Sequence, residues 1–420
     1  MNHASGDLRF LRRRAAAALR PPDNSGPALT AGAVLTAMLL ATRAVDLLGP
    51  APTVGDGAVV MSADTGARYV RIGDTVHPVL NLTSARLIAD NPAAPRRVSA
   101  AALAGTARGA TLGIPGAPDD VGTPLPTTTW AVCDSTEATT VLIDQRPPAG
   151  DSAALVTGPS GRRYLLTGGH RHEVAADPGV NRALGVDAGR ARPVSATLLA
   201  LLPEGPPITP VRVPLAGNPG PAALGHVRVG EVIGTERAGA RRYYLVLAGG
   251  VAPIGALAAD LLRFTGGDPG ARIRPVSAAA LAAVPTAALP AVAGLPEAVG
   301  AIDTRADGVL CAGLDADGAA RTWVADAPPL PPGRHAVALA GADGPGPAVD
   351  AVFVPPGRCV YLSGPDGRSV LTDTGVRYPV DDDAARVLAL GEHPLPAPPG
   401  LTAGLPTGPT LNRAAAAVAH

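Results

Sequence analysis

Few residues in this chain are of a type and spacing that could do chemistry. In GGHRHEV (Gly168–Val174), His170 and His172 would share one face of a strand, with Glu173 beside them, and that pattern invites a metal ion. Yet His172 falls in register with His77 and Tyr378 in similar stretches elsewhere, and a place filled by His or Tyr alike reads as packing. Every one of the 35 basic residues is Arg. Without Lys, Schiff-base chemistry and a Walker-type phosphate loop are both excluded. The Gly-rich run GADGPGP (Gly341–Pro347) carries Pro at two places that would lose amide donors. Neither a G-x-S-x-G elbow nor an H-E-x-x-H motif is present. Asp381, Asp382 and Asp383 form an acidic run that suits a solvated turn or a helix start, with cation binding as the alternative. No catalytic, cofactor-binding or metal-binding residues are expected, and no cofactor.

The elements that would position these residues come as a repeated unit. A Gly-rich turn, a short apolar strand, a second turn and an aromatic-Pro-Val step lead into an Ala/Leu-rich helical stretch ending near Pro. Copy one runs from Gly66 to Gly105, copy two from Gly161 to Pro206, copy three from Ala240 to Pro285 and copy four from Gly367 to Pro409. Repetition on this scale means one supersecondary unit used several times. VTGPSGRRYLLTGG (Val156–Gly169) and LSGPDGRSVLTDTG (Leu362–Gly375) align at constant offset, and a β-rich stretch with one cysteine precedes each. The chain therefore reads as a quasi-twofold body: repeat, core segment, repeat, then the same again. Cys133 and Cys311 occupy the two quasi-equivalent core segments. Symmetry-related strands often lie side by side, so these two are expected to form a disulfide, leaving Cys359 odd; three reduced, buried thiols are the alternative.

Composition bounds the class. The 51 Gly and 46 Pro supply many turns, aromatics are only 3%, and the formal net charge is zero, which argues against nucleic acid as a partner. Arg9, Arg12, Arg13, Arg14 and Arg20 precede an apolar stretch centred on PALTAGAVLTAMLLAT (Pro27–Thr42). Extended to Gly49 it is long enough to span a bilayer of about 30 Å, with Arg43 and Asp46 near its far end. The preceding Arg cluster places the N-terminus in the cytoplasm. A cleaved signal peptide is the rival reading, but no A-x-A site follows the apolar run.

YVRIGDTVHPVLNLTSARLI (Tyr69–Ile88), GIPGAPD (Gly113–Asp119), WAVCD (Trp130–Asp134), TDTGVRYPV (Thr372–Val380) and LPTGPTLNRAA (Leu405–Ala415) resemble the EccB family of type VII (ESX) secretion systems in actinobacteria. That resemblance covers nearly the whole chain. It implies a single-pass inner-membrane protein with a periplasmic body, in which a disulfide-bonded central domain is flanked by four repeat domains. It also implies a homo-oligomeric place in a membrane complex. The expected partners are an FtsK/SpoIIIE-type ATPase subunit (EccC-like), a multi-spanning subunit (EccD-like), an EccE-like subunit and a mycosin protease. Some members of the family carry an ATPase label.

The expected fold is α+β and β-rich, with a single N-terminal transmembrane helix. In chain order come a cytoplasmic tail (1–26), the span (27–49), repeat one (60–118) and a first segment of the central domain (119–160). Repeat two (161–217), repeat three (218–296), a second segment of the central domain (297–366) and repeat four (367–416) follow. Helices are expected near Asn81–Asp90, Ser99–Ala107, Ser195–Leu202 and Ser277–Ala283, each begun by a capping Ser or Asn. The expected function is a structural subunit of the secretion complex. Its alternative is a membrane-anchored peptidoglycan-binding protein, for which the supply of stacking aromatics is thin.

Overall fold

The computed structural model describes residues 54–420 except 238, 267–271, 304–307, 345 and 399. The expected tail and membrane span, 1–49, lie outside those residues. Among the described residues no helix is long and apolar enough to cross a membrane.

Repeat one shows the plan of the unit. Antiparallel strands β1 (Val59–Ser62), β2 (Arg68–Ile72) and β3 (Thr75–Pro78) lead to helix α1 (Leu82–Ala89). Strand β4 (Arg96–Val98) then pairs in parallel with β1, and helix α2 (Ala100–Ala104) leads to β5 (Ala107–Arg108), parallel to β3. After a linker strand, β6 (Thr123–Pro124), comes the hairpin β7 (Trp130–Asp134) and β8 (Thr139–Ile143). Repeat two consists of β9 (Ala153–Thr157), β10 (Arg163–Thr167), β11 (His170–Val174), α3 (Pro178–Leu184), β12 (Arg192–Pro193) and α4 (Ala196–Leu201). Repeat three consists of β13 (Val232–Arg237), β14 (Ala240–Leu247), β15 (Gly250–Ile254), α5 (Ala256–Thr265), β16 (Arg274–Pro275) and α6 (Ala278–Ala282).

A second linker strand, β17 (Ile302–Asp303), precedes the hairpin β18 (Val309–Leu314) and β19 (Ala320–Ala325) and an inserted pair, β20 (Val337–Ala338) and β21 (Ala351–Phe353). Repeat four closes the chain with β22 (Arg358–Gly364), β23 (Gly367–Thr372), β24 (Arg377–Pro379), α7 (Asp382–Val387), β25 (Leu395–Pro396), a 3-10 turn over 402–404 and α8 (Arg413–Ala416). In repeats two to four the fifth strand shrinks to isolated bridges such as Arg171 with Glu204, Val251 with Thr286 and Arg377 with Thr407.

The caps explain the helix starts. Side chains of Asn81, Ser99, Ser195 and Ser277 each accept a backbone N–H from the first turn of the helix they precede. Asp177 and Asp381 do the same for α3 and α7, so the acidic run 381–383 is a helix start. Helix α5 has no side-chain cap behind Gly255, and nothing local in the sequence announces it.

Two strands sit elsewhere than their sequence neighbourhood suggests. β9 falls within 119–160 and β22 within 297–366, the ranges expected for the central domain. Each instead pairs with the second strand of its own repeat, so those sheets begin at Ala153 and Arg358. Both are short apolar runs, which periodicity cannot distinguish from core strands.

The central sheet runs β19-β18-β7-β8-β21-β20. Its inner face and α4 share one apolar core with repeats two and four, including Val132, Leu198, Leu310, Val352 and Leu401. Repeats one and four share a second core, where α1 meets α7 and α8. Repeats two and three share a third, where α3 packs on α5. The result is two lobes, each made of one repeat from each half, which meet under the inner face of the disulfide-bearing sheet.

Candidate functional site

The centre of the molecule is the antiparallel pair β7 and β18, in which Cys133 lies directly opposite Cys311. A disulfide joins them across Cα atoms 4.0 Å apart and closes a separation of 178 residues. Closing a loop of that length restricts the unfolded chain by up to about 5 kcal/mol. The approximate twofold relation between the halves passes through this bond, since hairpin β7–β8 matches β18–β19 around it. Cys359 is a free, buried thiol whose burial pushes its pKa up to about 12, so it stays protonated and inert.

Repeat two is held to this sheet by carboxylates. Asp134, at the end of β7, is 3% exposed. It accepts hydrogen bonds from the backbone N–H of Ser195 at 2.7 Å, the Ser195 hydroxyl at 3.0 Å and the Thr139 hydroxyl at 2.9 Å. Burial pushes its carboxyl above the usual range, against the pull of these donors. Ser195 is also the cap of α4, accepting from Leu198 N–H, so one hydroxyl sets both the helix start and its seat on the sheet. Arg192 donates to the carbonyls of Asp134 and Gly308, touching both halves at once. At the β19 edge, Asp151 accepts from the Thr322 backbone and hydroxyl and from Gly168 N–H.

Repeat four occupies the matching place with apolar contacts. Where repeat two has Ser195, repeat four has the buried Pro398, and its fully buried Leu401 matches Leu198 of α4. Its turn glycine Gly375 (φ 79°) approaches so closely that a Cβ there would lie 2.0 Å from Val352. The counterpart Gly169 (φ 70°) meets the Ala320 carbonyl in the same way, 2.2 Å from an added Cβ. Gly400 and Gly404 bring the 3-10 turn of repeat four onto Ala200, Thr197 and Val349, so the end segments of repeats two and four meet beneath the sheet.

A second recurring device lies inside each repeat. His77, His172 and Tyr378 sit opposite buried Val70, Leu165 and Val370, and each ring lies flat against a glycine: Gly109, Gly205 and Gly408. A Cβ on those glycines would stand 2.1, 2.3 and 2.3 Å from the ring. The same glycines donate their N–H to the residue before the ring. Repeat three has Ala252 at the ring position and Ala287 at the glycine position, with the equivalent hydrogen bond kept. Large with small, or medium with medium, fills the same space. His172 is therefore a packing group: its Nδ1–H donates to the Pro206 carbonyl at 2.9 Å, and burial lowers its pKa. His170, with its ring centre 6.1 Å away, is exposed, and Glu173 pairs with Arg162.

The linkers cross between halves. β6, which follows repeat one, adds in parallel to β22 of repeat four; β17, which follows repeat three, adds in parallel to β9 of repeat two. The cysteine pair and the ring positions stand where the sequence pattern puts them. The glycine partners and Asp134 escaped that pattern, and the only local signal of Asp134 is one carboxylate at the end of the apolar run WAVC.

Comparison with known proteins agrees with this architecture. The family described as the type VII secretion system ESX-1 transport TM domain B matches residues 7–420. The "ESX-3 secretion system ATPase EccB3" of Mycolicibacterium smegmatis is 32% identical, with all of this chain and 90% of that protein covered. The "ESX-5 secretion system ATPase EccB5" of Mycobacterium marinum is 30% identical over 89% of this chain and 82% of that protein. Among solved structures, a chain of an intact ESX-5 inner membrane complex superposes with a TM-score of 0.70 at 29% identity, covering 100% of this chain and 95% of that one. The EccB3 dimer of an ESX-3 core complex superposes with a TM-score of 0.72 at 31% identity, covering 86% and 100%. This chain belongs to the EccB family, the structural subunits of the ESX inner-membrane complex with its periplasmic assembly.

Proposed function

We propose that the chain is a single-pass scaffold: the segment 27–49 anchors it, 1–26 lies in the cytoplasm, and the described body props the periplasmic side of the export machine. The observation that carries this reading is the construction of the body. A disulfide at the junction of two halves, linkers exchanged between them and cores shared pairwise by the repeats make a stiff object, not a hinged one. The partners follow the family: an EccC-like ATPase of FtsK/SpoIIIE type, EccD-like and EccE-like subunits, a mycosin and further copies of the same chain.

The body has no role in hydrolysis on this reading, although its relatives are named ATPases. There is no Lys to neutralise a phosphate. In the Gly-rich loop the N–H groups of Asp343 and Gly344 are already given to the Asp350 carboxylate, and that of Ala348 to Asp343. The body also offers few stacking rings to a sugar polymer: Trp130, Trp323, Tyr361 and Tyr378 are buried, and Tyr164, Tyr243, Tyr244 and Phe264 are only half-exposed. Purification of the tagged full-length chain from native membranes in mild detergent tests the reading. Co-migration on a native gel with an FtsK-like ATPase and a multi-spanning subunit at megadalton scale is expected. A small, partner-free species that sediments with purified cell wall would overturn it.

A further inference from the structure

One end of the repeat unit, at the turn between its second and third strands, is seated in three of the four copies. In repeat two Gly169 lies on the Ala320 carbonyl, and Leu166 beside it enters the central core. In repeat four Gly375 lies on Val352, and Leu371 enters the same core. In repeat three Val246 is closed over by Gly220, by Val227 and by the N–H of Gly230. Repeat one departs from this plan. Counted from the ring position, Arg71 stands where the others have Leu166, Val246 and Leu371, and Asp74 where they have Gly169, Gly249 and Gly375. Ile72 is 46% exposed, Asp74 is exposed, and a Cβ on Gly73 would meet nothing within 4 Å. The chain enters the described body at this same end. Val59 pairs with Val70, Val60 lies beside Arg96 at the start of β4, and the β2–β3 turn follows Ile72. Arg71 donates to the Gly55 carbonyl at 2.5 Å and lies 4.0 Å from the Asp56 carboxylate. Arg96 is exposed, packs over Gly55 and Gly57, and makes no ion pair among the described residues.

We propose that this end of repeat one is a membrane contact, seated on the lipid headgroups of the periplasmic leaflet with Arg96 on their phosphates and Ile72 among them. Only four residues, Pro50–Thr53, separate the expected span from Val54. A fully extended chain from Gly49 to Val54 reaches at most about 17 Å. The headgroup layer itself occupies about 5–7 Å of that reach. The end that the others seat on protein is therefore held, in repeat one, within a side chain's length of lipid. Its chemistry fits that place. An arginine fork suits a phosphate, and its aliphatic stem tolerates apolar surroundings. Asp56 and Asp74 keep the contact at headgroup level, because a carboxylate is costly deeper in the bilayer.

The inference rests on the anchor reading, and the experiment separates the two. The native cysteines are a disulfide and one buried thiol, so Ile72→Cys supplies a single accessible thiol for a fluorophore. The labelled full-length chain is placed in vesicles of phosphatidylcholine and phosphatidylglycerol in equal parts, with nitroxide on some of the headgroups. Ala67→Cys, exposed just before the far end of β2, carries the same label for comparison. Quenching at 72 is expected to exceed that at 67 about threefold, and to fall by about half in Arg96→Glu and in high salt. The salt arm needs no substitution, so it stands even if Arg96→Glu folds poorly. Equal quenching at the two sites, or quenching at 72 that ignores salt, would overturn the contact. So would a photo-crosslinker at position 72 that, in native membranes, joins a protein subunit and no lipid. A chain that alkaline carbonate washes off the vesicles would overturn the anchor reading and this inference with it. A chain that stays, with no quenching at 72, would overturn this inference alone.

Discussion

Repeat two meets the central sheet through Asp134 and Asp151, whereas repeat four, with Pro398 in the place of Ser195, meets it through apolar contacts of Leu401 and close approaches of Gly375 and Gly404. The two repeats have the same plan, and their docking turns align residue for residue, Gly169 with Gly375. If both seats were alike, either repeat could occupy either one. A buried carboxylate that needs Ser195 and Thr139 as donors accepts only a repeat that brings a hydroxyl at the helix cap. An apolar seat rejects that hydroxyl, which would be buried there without a partner. Asymmetric seating thus specifies one arrangement of a nearly symmetric chain.

The largest test removes what both seats share. Cys133→Ser and Cys311→Ser should each lower stability by up to about 5 kcal/mol, and the double change should cost little more than either alone, as read by denaturant unfolding. Additive losses would show that the bond is not what joins the halves. Next, Leu401→Ala should cost about 2–5 kcal/mol by opening a cavity. Asp134→Ala should cost about 1–3 kcal/mol by leaving Ser195 and Thr139 without their acceptor. Hydrogen exchange should then speed up in α4 for Asp134→Ala and in 401–411 for Leu401→Ala. The reverse pattern would sink the claim of separate seats.

Within the repeats, Gly205→Ala should cost about 1–3 kcal/mol by overpacking against His172. Adding His172→Ala should recover some of that loss, because the double variant carries the Ala–Ala pair that repeat three uses; a purely additive double would contradict the shared-space account. pH should distinguish the ring positions of repeats two and four more gently. Burial holds His172 below the ordinary value of 6.5, so its stabilising neutral form is fully present above that pH and is lost as pH falls through the lowered value. Tyr378 is raised above 10.0 by burial, so its contribution is present below that pH and fades as pH rises through the raised value. Melting between pH 7 and 5 should loosen repeat two, and His172→Phe should flatten that limb.

Much of this was legible in the residues, and the reason differs by feature. Helix starts at Asn81, Ser99, Ser195 and Ser277 could be read because capping is local chemistry. The cysteine pair could be read because repetition itself implied which strands are equivalent. The first strand β9 could not be placed, since a short apolar run does not say which sheet it joins. The linker pairings, Thr123 beside Arg358 and Ile302 beside Ala153, depend on contacts far apart in sequence. The ring positions were visible as a column of His, His and Tyr. Their partners were not, because a glycine in a chain with 51 of them carries no signal until a ring is seen above it.

The exchanged linkers also impose an order in time. Thr123 and Pro124 are made early, yet the strand they pair with, beginning at Arg358, belongs to the last repeat. Helix α1 of the first repeat likewise waits for α7 and α8 at the far end of the chain. A chain that leaves the ribosome from its N-terminus therefore keeps its first lobe unfinished until its last repeat has emerged. A product cut short before Arg358 would display a bare strand edge and an uncovered helix. Completion of the first lobe is in this sense a measure of length, reached only when the last repeat is present.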